Sequence, residues 1–185
     1  MNIGGVFVGG RSMRLREGFS FLAAAAVLLA LFPAPALAQP AGHHVERGPI
    51  NLPEVVKRSA MIVRGNVASS RVEWVDRTIY TFHDLVVGET IKGAARTRIT
   101  IAVPGGAIGN VRTDWPGAPA IRLGDELVFF GNDFPGRPAF AATGLFDGLV
   151  EVRTDPGTGN RVVASRGRPE RIEDFLAEVR ALSRR

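Results

Sequence analysis

Residues Thr78–Gly106 read TIYTFHDLVVGETIKGAARTRITIAVPGG. Aromatic and β-branched residues dominate the stretch, which predicts two β-strands joined through Ile91-Lys92-Gly93 and closed by the turn Pro104-Gly105-Gly106. In the first strand the apolar residues occupy both parities: Ile79, Leu85, Val87 and Ile91 on one side, Tyr80, Phe82 and Val86 on the other. A strand apolar on both faces is sandwiched or bulged, and Gly88 is where this one is expected to bend. From Thr97 the alternation is cleaner, with Ile99, Ile101 and Val103 set against Arg98, Thr100 and Ala102. That pattern describes a half-buried strand, ended by Pro104 because proline cannot donate to a ladder.

Upstream, Ala60–Trp74 (AMIVRGNVASSRVEW) reads as a further strand, in which Gly65 marks a bulge or tight bend. Val75-Asp76-Arg77 turns the chain into the central stretch. Before it, Asn51–Ser59 can form a short helix, with Pro53 and Glu54 suited to its first turn.

Downstream, Gly105–Glu126 is rich in Gly and Pro and long for a simple connection. Such connections carry function disproportionately often. Its glycines, Gly105, Gly106 and Gly109, do not spell a phosphate-binding fingerprint. Arg112 and Trp115 are residue types enriched at interface hot spots, so Gly105, Gly106, Arg112 and Trp115 are the candidate binding residues. The competing reading has Trp115 capping the core and Arg112 solvated.

Next come ELVFFGN, whose Leu127–Phe130 run predicts deep burial, and a hairpin in which AFAATGLFDGLVEVRTD and RVVAS flank the turn PGTGN. Asp155, Thr158 and Asn160 sketch a calcium loop but lack its acidic density and terminal glutamate, so they read as turn formers. At the end of the chain, Ile172, Phe175, Leu176, Val179 and Leu182 form one helical stripe. A helix over 169–184 is expected, with Pro169 at its first position, and the stripe would close the barrel rather than project as an arm.

The start of the chain has a different character. Phe21–Phe32 is an unbroken apolar run preceded by Arg14 and Arg16 and followed by Ala36-Leu37-Ala38. This is the pattern of a secretory signal cleaved after Ala38, and a start at Met13 would make it compact. As a helix the run spans roughly 18 Å, short of the ~30 Å hydrocarbon core, so no stable membrane anchor is expected after cleavage. Residues 39–49 form a flexible lead-in containing His43 and His44, two adjacent histidines that do not amount to a metal site. The address expected is periplasmic or extracellular.

Composition removes several functions. The signal segment carries three arginines and one glutamate, so the remainder is only mildly basic, with no polybasic block before the last two residues. Neither a clustered basic face nor interleaved aromatics suggests nucleic-acid binding. The chain has no cysteine. That excludes disulfides, a lipobox anchor, Cys-ligated zinc, iron-sulfur clusters and thiol nucleophiles, and leaves a hydrophobic core to hold one domain over residues 50–185. No cofactor is expected. His83 is the only histidine of that domain, and its neighbour Asp84 points to the opposite face of the strand. A Ser-His-acid triad would need a serine brought to His83, and no G-x-S-x-G elbow advertises one.

The segments SAMIVRGNV, IYTFHDLVVGETIKG, TRITIAVPGG and LGDELVFF, spanning Ser59–Phe130, together resemble the small exported bacterial domains of uncertain function that adopt a five-stranded OB-like barrel. More distantly they are similar to the netrin-like domain of the tissue inhibitors of metalloproteinases. Those inhibitors act through an amino-terminal cysteine that this chain lacks, so the resemblance implies a fold and a protein-binding role for barrel-rim loops, without the inhibitory residue. The expectation is therefore a mainly β protein: a five- to seven-stranded OB-like barrel with a short N-terminal helix and a C-terminal amphipathic helix. It would serve as an exported non-catalytic module that recognises an exported or envelope protein. A hydrolase using His83 and a structural envelope protein are the alternatives.

Overall fold

The computed structural model describes residues 50–165 and 167–185, which lie in the second of two units of the chain, Gly42–Arg185. The signal segment expected over 1–38, with the start expected at Met13, and the lead-in expected over 39–49, with His43 and His44, fall outside the described residues. In chain order the elements are α1 (Leu52–Arg58), β1 (Met61–Val75), β2 (Thr78–Lys92), β3 (Arg98–Pro104), β4 (Gly106–Ile108) and β5 (Val111–Thr113). They continue with β6 (Glu126–Asp133), β7 (Phe140–Ala142), β8 (Leu149–Thr154), β9 (Arg161–Val163), β10 (Glu170–Arg171) and α2 (Ile172–Ser183).

The architecture is mainly β. Eight strands form one sheet in the order β1-β2-β3-β7-β6-β8-β9-β10, and β4 and β5 make a separate ribbon. β1 has a second neighbour, β6, along Met61–Asn66. Every pairing is antiparallel except that of β3 with β7. More strands form than the five to seven expected. The connection after Pro104 folds into the β4–β5 ribbon instead of staying irregular, and Glu170–Arg171 adds a short strand against β9.

The β1–β2 ladder slips between Ile62 and Val63, between Arg64 and Gly65, and between Val67 and Ser69. These slips leave Ile91, Gly88 and Ala68 without a direct partner. The bend expected at Gly88 is thus a bulge inside a strand that continues to Lys92. At Gly65 a Cβ would stand 2.4 Å from the Val86 carbonyl oxygen, so the two backbones approach closely there only because the residue is glycine.

The bulged sheet buries both faces of its central strands. Val63, Val67, Leu85, Ile101, Leu127 and Phe129 form one cluster with Phe140, Phe146 and Leu149. On the opposite side, Ile62, Val128, Phe130, Val150 and Val163 pack beneath α1 and α2. This explains the unbroken LVFF run: alternate residues of β6 enter two different clusters. A third cluster joins Phe82, Ala102 and Ala139, with Tyr80, Phe134 and Val75 packed around it.

α2 begins at Ile172 instead of Pro169, because Glu170 and Arg171 pair with Val163 and Val162 before the helix starts. Its stripe (Ile172, Phe175, Leu176 and Val179) lies over one face of the sheet, with Phe175 edge-on to Phe130 at 6.2 Å. The helix is packed down as expected, but it covers a face. The connector residue Lys92 does more than turn the chain: its Nζ donates to the Val56 carbonyl at 2.9 Å, in the last turn of α1. Below it, Ser59 Oγ donates to the Val55 carbonyl and accepts from Thr143 Oγ1, which in turn accepts from Asn132 Nδ2. The PGTGN turn is held by Thr158, whose N–H and Oγ1 both donate to Asp155 Oδ1, in keeping with its reading as a turn.

Candidate functional site

The site is built on the tip of the β1–β2 hairpin. Asp76 takes a positive φ of 52° in the two-residue connection, and pairing runs without a slip from Val75–Thr78 to Ser69–Asp84. Opposed residues share a face, so Ser70, Val72 and Trp74 line up beside His83, Thr81 and Ile79.

The chain leaving β3 turns back across this face. Gly105 N–H donates to the Ile79 carbonyl at 2.8 Å, and Thr81 Oγ1 donates to the Gly105 carbonyl at 2.8 Å. At Gly106 a Cβ would stand 2.8 Å from both Thr81 Oγ1 and Val72 Cγ1, and φ is 135°. Gly105 and Gly106 therefore owe their identity to backbone conformation and close approach, and they place the β4–β5 ribbon against the hairpin.

Trp115 closes this arrangement. Its Cδ1 lies 3.6 Å from where a Gly105 Cβ would be, and the residue is 40% exposed. Ile121, not Trp115, is the loop residue that packs onto the inner cluster. Trp74, opposite Ile79, is 45% exposed. The only two tryptophans of the chain thus flank a short row, Trp74, Ile79, Gly105, Trp115, with exposed Val72 and Val111 nearby on the hairpin and ribbon. Arg112 sits on the same ribbon, but its guanidinium is engaged by Asp114, Nε to Oδ2 at 2.8 Å. That hydrogen bond holds the Asp114 carboxyl below its ordinary range and raises Arg112.

His83 lies below the rim and is 5% exposed. Burial pushes its pKa down to about 4, against the opposing charges of Asp84 and Asp125, so the ring is neutral at pH 7. Its Nδ1 is hydrogen-bonded to Ser70 Oγ at 2.7 Å. Asp84 faces the other way, as expected, and accepts from Thr100 Oγ1, Ser69 Oγ and Arg71. Its carboxyl is held low, first by Thr100. Among the described residues no carboxylate hydrogen-bonds the imidazole. In a hydrolytic triad the acid orients the ring through one nitrogen while the serine meets the other. Here the serine occupies Nδ1, and a weakly basic ring is poorly suited to take its proton.

Elsewhere, an open pocket of about 380 Å³ is lined by Arg64, Gly65, Asn66, Gly88, Glu89 and Glu126. Its carboxylates are engaged: Glu126 by Arg64 and Arg161, Glu89 by Arg180. Among the described residues no group of three His, Asp or Glu side chains could hold a metal, and no helix is long and apolar enough to cross a membrane.

No protein-family model matches the chain, and a search of curated proteins finds no match. The site therefore rests on its own geometry. Trp74, Val72 and Ser70 were not singled out from sequence. A signal for them existed, because a two-residue turn at Asp76-Arg77 places Trp74 opposite Ile79 and Ser70 opposite His83 by counting.

Proposed function

We propose that this chain is an exported, non-catalytic binding module that recognises an exported or envelope protein through the rim carrying Trp74 and Trp115. We also read its sheet as an OB-like barrel, since the pairings lead from β1 through β2, β3, β7 and β6 back to β1, with β3 and β7 parallel. The observation that carries the functional reading is the exposure of both tryptophans at one rim. Large aromatic side chains gain most from burial and recur as interface anchors. Export rests on the signal-like segment before Gln39.

The test compares pull-downs from envelope extract using the wild type, Trp74→Ala, Trp115→Ala and His83→Gln. The expected result is a saturable partner kept by the wild type and His83→Gln and lost by the tryptophan variants. Capture unchanged in both tryptophan variants would remove the rim as the binding site.

The hydrolase reading draws on the Ser70–His83 contact. It requires an activity in generic hydrolase screens that both Ser70→Ala and His83→Gln abolish. A structural envelope protein would show neither saturable capture nor hydrolysis.

A further inference from the structure

β1 is paired on both sides only along Met61–Asn66; from Ser69 to Val75 it pairs with β2 alone. At the upper limit of the doubly paired part, Val67 N–H donates to the Asp125 carbonyl and Gly124 N–H to the Val67 carbonyl, each at 2.9 Å. Beyond them, Ala68–Val72 and Trp74 are exposed. The direction of the backbone groups along this edge follows from a neighbour. The Ile79 carbonyl accepts from Gly105 on the β3 side, so Trp74 and Ile79 form a non-hydrogen-bonded pair of the β1–β2 ladder. By alternation, the N–H and C=O groups of Ser70, Val72 and Trp74 point away from β2, toward the open edge. Among the described residues, their only partner on that side is Arg137, whose Nη2 reaches the Trp74 carbonyl at 3.4 Å. An exposed strand edge of this kind is a template for another strand.

We propose that two copies of this chain pair antiparallel through the β1 edge, about a two-fold axis at Val72. In this register Val72 faces Val72 of the second copy, Ser70 faces Trp74, and roughly six backbone hydrogen bonds form. Arg71 then stands opposite Glu73 of the second copy, twice. The charges select this register. Moving the axis to Arg71 sets arginine against arginine, and moving it to Glu73 sets glutamate against glutamate, which is unfavourable for directly opposed residues. Arg71 and Glu73 already contact each other within one chain, and both retain solvent exposure. The edge is self-complementary, as a two-fold interface must be. The occupant is therefore a second copy, distinct from the partner at the tryptophan rim.

The test is light scattering coupled to size exclusion, on protein purified after expression of the full chain, up to roughly millimolar concentration. The wild type is expected to dimerise. Arg71→Glu alone and Glu73→Arg alone should each be monomeric, since each homodimer would oppose like charges. An equimolar mixture of the two variants should regain the dimer, with a Kd within about tenfold of the wild type. Circular dichroism of each variant separates a folding defect from a pairing defect, and Val72→Lys gives a second disruption without touching the charge pair. A monomeric wild type over the whole range overturns the proposal. So does a mixture that stays monomeric while both variants are folded, or variants that dimerise as well as the wild type, which would place the contact elsewhere.

Discussion

Ser70 Oγ and His83 Nδ1 lie 2.7 Å apart, bringing a serine of the first strand to the domain's one histidine. The contact gives the buried ring a polar partner at Nδ1, while burial keeps it neutral. With a folded pKa of about 4 against an ordinary 6.5, the unfolded chain binds the additional proton between those values. Stability from His83 is thus complete above pH 6.5 and is lost as pH falls toward 4. The loss is about 3 kcal/mol. Urea unfolding at stepped pH should show this decline in the wild type and a shallower one in His83→Gln. Equal slopes would mean that the ring is not neutralised by burial.

Phe175 is fully buried against Phe130, where α2 covers the sheet. Phe175→Ala should cost about 3–5 kcal/mol, measured by chemical unfolding. Truncation before Ile172 should leave Val128, Phe130 and Val150 uncovered and yield insoluble protein. A soluble, cooperatively folded truncation would show that α2 is dispensable.

The approach of Gly65 to the Val86 carbonyl leaves no room for a side chain. Gly65→Ala should destabilise by about 1–3 kcal/mol, while Gly109→Ala, with nothing within 4 Å but a positive φ, should cost less. Thermal melts of the pair check the ranking, and the opposite order would mean that β2 yields easily at its bulge.

Lys92 Nζ on the Val56 carbonyl braces α1 at its C-terminal end, where a cation is favoured. Lys92→Met keeps the aliphatic stem and removes the donor, at a cost of about 1–2 kcal/mol. Hydrogen exchange should localise the change to α1, and unchanged protection there would remove this role.

Trp115→Ala removes a side chain outside the buried clusters, so its melting midpoint should stay within a few degrees of the wild type while partner capture falls. A large stability loss would instead make Trp115 a packing residue.

What the sequence determined by itself is local. Alternation and turn chemistry located the strands of Thr78–Pro104, the PGTGN hairpin and an amphipathic helix at the end, because a strand's period and a helix's period are written in neighbouring residues. The same local reading separated His83 from Asp84, since adjacent strand residues cannot share a face.

Tertiary structure decided the rest, because strand pairing joins residues far apart in sequence. The bulge at Ala68 changes which face of β1 looks inward, so that Val67 and Ser70, an odd and an even position, stand opposite Leu85 and His83 on one face of β2. The LVFF run is apolar throughout because helices cover one face of β6 while Leu127 and Phe129 fill the other side, a fact about layers. Pro169 and Glu170 suit a helix start, yet pairing with β9 claims Glu170 first. Gly105 and Gly106 looked like parts of a binding loop. Gly106 is required by the side chains of Val72 and Thr81, far earlier in the chain, across which the backbone passes closely, and Gly105 by its positive φ and its approach to the Thr113 carbonyl oxygen.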